Sequence, residues 1–88
     1  MNNYFVRHVE DVAWNFNTLP EILERLANYE DSYVREGVAF NPNTPQKTLA
    51  RLANDEDWVV RLGVARNPNT PQYIKDYLKI KKFLNYYE

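Results

Sequence analysis

The chain has 88 residues, 44% of them hydrophobic and 26% charged, and a formal net charge of −1. That is the length of one domain, and the near-neutral balance excludes a generically polybasic nucleic-acid binder. The absence of cysteine excludes disulfides, thiolate metal sites and cysteine nucleophiles.

Asn3 can cap a first helix over residues 3–14, in which Phe5, Val9 and Val12 fall at i, i+4 and i+7. Its end, Val12-Ala13-Trp14-Asn15, matches Val38-Ala39-Phe40-Asn41 further on, so the helix reads as an N-terminal cap derived from half a repeat unit. The repeat itself is plain: Asn15–Phe40 aligns without gaps onto Asn41–Arg66, with 15 of 26 positions identical. A third unit, 67–88, opens on Asn67-Pro68-Asn69-Thr70-Pro71-Gln72 and then diverges.

Each unit predicts two short helices. Thr44 serves as N-cap of the first, with Pro45 at its first position, where a missing donor costs nothing. In the earlier unit Thr18-Leu19-Pro20-Glu21 has the pattern of a capping box. The apolar stripe is Ile22, Leu23, Leu26 and Ala27, matched by Thr48, Leu49, Leu52 and Ala53. The second helix starts at Asp31 or Asp57 and buries Val34, Gly37 and Val38, or Val60, Gly63 and Val64. It stops at Asn-Pro, because the residue before a proline is pushed out of the helical region. A glycine inside a helix costs about 1 kcal/mol relative to alanine, so Gly37 and Gly63 imply close approach of a neighbouring helix or a 3₁₀ turn. Pro71–Tyr87 reads as one longer helix that caps the C-terminal end. The expected fold is all-α: a right-handed α-solenoid of about two and a half 26-residue two-helix repeats, with repeat 1 at 15–40 and repeat 2 at 41–66.

The run Asn41-Pro42-Asn43-Thr44-Pro45, with Leu49, Leu52-Ala53, Asp57, Val60-Arg61 and Val64-Ala65, resembles the leucine-rich repeat variant and, more broadly, HEAT-like helical repeats. The resemblance covers about residues 15–78. It implies a right-handed superhelix of alternating α and 3₁₀ helices and binding of macromolecules across an extended face. The iron–sulfur cluster of some members does not carry over, since its cysteines are missing. Phe16 and Leu19 depart from the pattern by standing where it has proline.

Little in the chain suggests chemistry. His8 has neither a cysteine nor a second histidine beside it. Ser32, the one serine, has no evident base, and both glycines lie inside helices, so no phosphate cradle is expected. The acids Glu30-Asp31 and Asp55-Glu56-Asp57 lack the glycine turn of a calcium loop. They read as helix-start charges paired to Arg35 and Arg61 at i+4, or bridged to the neighbouring unit. No catalytic residue, cofactor or metal site is predicted, and no enzyme.

The 13 aromatics, seven of them Tyr, carry the functional signal. Positions that differ between units are those the framework does not require: Tyr29 against Asp55, Ser32 against Trp58, Tyr33 against Val59, and Phe40 against Arg66. Trp14, Phe40 and Arg66 share one register and are expected to form a row. Trp, Tyr and Arg are enriched at interface hot spots, whereas in so short a stack the same rings can seal gaps between units. On the C-terminal helix, Tyr73, Tyr77, Ile80, Leu84 and Tyr87 form a heptad-like seam suited to capping or to self-association, and Lys75, Lys79 and Lys82 line another face. The segment 71–88 carries +2 against −3 for the remainder. The expectation is a cytoplasmic protein-binding module, an adaptor or stoichiometric inhibitor, that uses Trp58, Tyr33, Tyr29, Phe40, Trp14 and Arg66. The alternative is a nucleic-acid-associated module using the Lys/Tyr-rich helix. Homo-oligomerisation through that helix stays open. Membrane association is not expected, because no apolar run approaches the roughly 18–20 residues that span a bilayer.

Overall fold

A computed structural model describes the backbone of residues 3–87 and the side chains of residues 8–82. Six helices follow one another: α1 Asn3–Trp14, α2 Pro20–Leu26, α3 Ser32–Phe40, α4 Gln46–Leu52, α5 Trp58–Arg66 and α6 Gln72–Tyr87. The chain is elongated, 42 × 24 × 15 Å. The tightest packing runs from α1 to α3 to α5, while α2, α4 and α6 pack beside that row. The second helices, left open as α or 3₁₀, are α-helices of nine residues. The core threads through all units: Ala13, Leu23, Val34, Val38, Leu49, Val60, Val64, Ile74 and Leu78 are all buried. Phe5, Leu84 and Tyr87 lie outside the described side chains.

Asp31 and Asp57 cap α3 and α5 as expected, accepting from the backbone N–H of Tyr33 and Val59 at 2.9 and 2.8 Å. The first helices start differently. The Thr18 and Thr44 hydroxyls do not cap α2 and α4; they donate backwards, to the carbonyls of Val12 and Val38, each at 2.6 Å. Those carbonyls sit in the last turn of the preceding helix, where each also accepts from the N–H of the residue that ends it, Asn15 or Asn41, at 3.2 Å. Leu19 and Pro45 flank the helices instead, with no side-chain cap bond.

The Asn-Pro junctions do more than stop helices. The buried Asn41 amide donates to the carbonyls of Ala13 and Asn15, both at 2.9 Å, and its Oδ1 accepts from the Asn43 N–H at 3.0 Å. Asn67 repeats this one unit on, donating to Ala39 and Asn41 at 2.7 and 2.8 Å and accepting from Asn69 at 2.8 Å. An asparagine has two donors and an acceptor on one planar group, so a single side chain ties two units together and shapes its own turn. Asn43 and Asn69 add outer rungs, to Phe16 and Thr44, at 2.6 Å.

Both glycines mark close helix approach. A Cβ on Gly37 would lie 2.8 Å from the Trp14 ring and 2.9 Å from the Ala13 Cβ, and one on Gly63 would lie 2.8 Å from both the Ala39 Cβ and the Phe40 ring. The α1–α3 and α3–α5 contacts therefore use the same small-residue notch.

Ile22 departs from its expected place in the core, at 41% exposed, although Thr48 and Ile74 at the same register are buried. Phe16 and Leu19 are exposed near it. The α4 and α6 faces that bury Thr48 and Ile74 have a preceding first helix alongside. Among the described residues, α2 has none.

The candidate interface between the last two helices

The aromatic positions separate into two groups. Trp14 stacks on Phe40, with centroids 5.7 Å apart and planes at 20°, and meets Tyr33 at 5.4 Å. Its indole N–H donates to the Tyr33 carbonyl at 3.3 Å. Since Trp14 covers Gly37 and Phe40 covers Gly63, both half-buried rings fill the spaces between units. Arg66, at the same register, is exposed at the end of α5, and Tyr29 is half-buried against the core. Tyr33 is 49% exposed and Trp58 65% exposed. Trp58 is the first residue of α5, held in that place by the Asp57 cap.

On α6 the inward residues are Ile74 and Leu78. Tyr73, Tyr77 and Ile80, the first part of the heptad-like seam, face solvent. Tyr77 reaches back only through its hydroxyl, which donates to Asn54 Oδ1 at 2.6 Å, and Lys81 lies 5.9 Å over its ring. Lys75 is half-buried, while Lys79 and Lys82 are exposed. His8 is exposed on α1. Among the described residues no group of three or more His, Asp or Glu gathers as a metal site.

The charges pair across units. Arg35 binds Asp55 of the next unit, Nε to Oδ2 at 2.9 Å and Nη2 to Oδ1 at 3.3 Å, in place of the expected i+4 pairing with Asp31. Asp31 is occupied as a helix cap. The guanidinium also donates to the Tyr29 and Glu30 carbonyls at 2.8 and 2.7 Å. The hydrogen bond to Asp55 raises the Arg35 pKa further, against the opposing effect of its burial. Beside this pair, burial raises the Glu36 pKa, and repulsion from Asp57 and Asp31 adds to it. Asp57 is held low by the Val59 N–H it caps and, to a smaller extent, by the Ser32 hydroxyl. The α3 face is thus closed by the acidic turn 53–57.

The α5 face is not closed in that way. Arg61 keeps the backbone half of the pattern, donating to the Asp55 carbonyl at 2.6 Å. Among the described residues, no carboxylate forms an ion pair with it. A recess of about 300 Å³ opens there, lined by Trp58, Arg61, Leu62, Ala65, Leu78, Lys81 and Lys82. It joins one ring and several aliphatic side chains to three cations, and among the described residues no lining residue is acidic. Of its residues, the variable positions of the repeat identify Trp58, and the basic helix identifies Lys82. Leu62 was missed, although Glu36 at the same register in the other unit is the signal that would have found it.

No described helix is long and apolar enough to cross a membrane. No curated protein and no solved structure matches the chain. Residues 34–57, from the buried face of α3 through α4 to the cap of α5, match the leucine rich repeat variant, so the centre of the chain is similar to that helical repeat.

Proposed function

We propose that this chain is a right-handed helical solenoid without enzymatic activity, working in the cytoplasm by binding a partner protein as an adaptor or stoichiometric inhibitor. The observation that carries the reading is Trp58. A tryptophan 65% exposed at the mouth of an apolar recess is large, rigid and little used by the fold, which is the profile of an interface anchor. Tyr33 is a second exposed ring on the second helices. Trp14 and Phe40 contribute indirectly, by fixing the spacing of the helices that present the surface.

Trp58→Ala is expected to leave the helical circular dichroism spectrum and the melting temperature unchanged while abolishing capture of the partner from the native host. Loss of the fold in that variant would remove Trp58 from the interface. Binding by Lys75, Lys79, Lys82 and the exposed tyrosines to nucleic acid is the alternative. It is separated by salt, since phosphate contacts weaken steeply as salt rises and an aromatic-centred interface does not.

A further inference from the structure

We infer that the recess between α5 and α6 takes an acidic turn of a partner protein, with one of its carboxylates seated on Arg61. The inference rests on the protein-binding reading above and names the chemistry of its partner.

The repeat supplies the template. At the 26-residue register Arg35 corresponds to Arg61, and Asp55 to Lys81. In the earlier unit, α4 ends at Leu52 and the chain turns through Ala53–Asp57, which brings Asp55 onto Arg35. In the last unit the residue matching Leu52 is Leu78, and α6 runs straight on through it to Tyr87. Its sequence there is Lys79-Ile80-Lys81-Lys82, in place of the Ala53-Asn54-Asp55-Glu56 that turns away from the end of α4. Among the described residues no turn folds back over the α5 face, and a recess stands where the earlier unit places acidic backbone.

The lining has changed with it. Ser32 and Glu36, which face the acidic turn in the earlier unit, correspond to Trp58 and Leu62. Two apolar side chains thus stand where the earlier unit has a hydroxyl bonded to Asp57 and a carboxylate. Where Asp55 and Glu56 approach Arg35, Lys81 and Lys82 line the same recess as Arg61. One guanidinium edge donates to one carboxylate in a two-point bond, and the two lysines suit further acids next to it, as Glu56 and Asp57 follow Asp55. A carboxylate fits better than a polyanionic backbone: three cations are few for phosphate tracking, and the chain as a whole is acidic.

The test uses the full chain, labelled with nitrogen-15, and a blocked peptide copying Ala53–Trp58, the segment that closes the earlier unit. The expected result is a saturable movement of the Arg61 Nε–H and Trp58 indole signals. A second peptide with its three acids replaced by their amides should bind at least tenfold more weakly. Lys81→Asp, which restores a carboxylate at the register of Asp55 and reverses one charge of the recess, should abolish the response without changing the helical spectrum. The inference is overturned if the amide peptide moves these signals equally, if the peptide moves neither, if a single-stranded oligonucleotide moves them more, or if they move with protein concentration because two copies associate. Equal movement by both peptides leaves Trp58 as a docking anchor and removes only the acid preference. If neither moves the signals, capture by Trp58→Ala decides the docking reading separately.

Discussion

Asn41→Ala is expected to lower stability by about 3 kcal/mol, enough to leave a domain of this size marginal. The side chain is fully buried and makes three hydrogen bonds, two to carbonyls of the preceding unit and one from the Asn43 N–H. Truncation leaves the Ala13 and Asn15 carbonyls and the Asn43 N–H without that partner. The Ala13 bond is buried and the other two are partly so, and a buried polar group so stranded costs about 1–3 kcal/mol. Aspartate is no remedy at this position, because it keeps the acceptor for Asn43 and points a charge at two carbonyl oxygens. Thermal unfolding followed by circular dichroism checks this, with a fall in Tm of about 15 °C expected for a chain of this length. A loss under about 1 kcal/mol would mean the asparagine rungs do not join the units.

Gly63→Ala decides between two opposing effects by its sign. Alanine is the better helix former by about 1 kcal/mol, so a helix free of close neighbours gains stability. Here the new Cβ falls 2.8 Å from the Ala39 Cβ and 2.8 Å from the Phe40 ring. The ring can swing aside, but the Ala39 Cβ moves only if α3 moves. Overpacking of this kind costs about 1–3 kcal/mol and should outweigh the helix gain, with a net loss of up to about 2 kcal/mol and a fall in the urea midpoint. Gly37→Ala meets the same obstacle in Ala13 and Trp14. A stabilised Gly63→Ala would show that the helices stand further apart than described.

The parts of the fold that were legible in the sequence are those where one residue type has one physical use. Glycine twice at the same register inside a helix meant close approach, and Asp31 and Asp57 before apolar stripes meant caps. Residues with several uses were harder. Asn41 and Asn67 looked like simple stops because their main partners lie 26 and 28 residues back along the chain. The threonine hydroxyls were expected to accept from the helix ahead and instead donate to the helix behind. Arg35 had acids available within its own helix and across the unit boundary, and the cap role of Asp31 settled which one it takes.

The site was half legible for a related reason. Comparing units brought out Trp58, since a surplus ring at a variable position stands out. The recess did not, because it arises where α6 fails to turn. The mismatch of Asp55 with Lys81 can be read from the register, but that it leaves a recess shows only once the helices are placed.

The central claim is that the α5–α6 recess is where a partner protein sits. The most direct measurement places a photo-crosslinking phenylalanine analogue at position 58 of the full chain in its native host. A single protein adduct is expected, displaced by excess acidic peptide and not by its amide counterpart. Crosslinking to nucleic acid, or no adduct at position 58 while the chain still binds its partner, would contradict it.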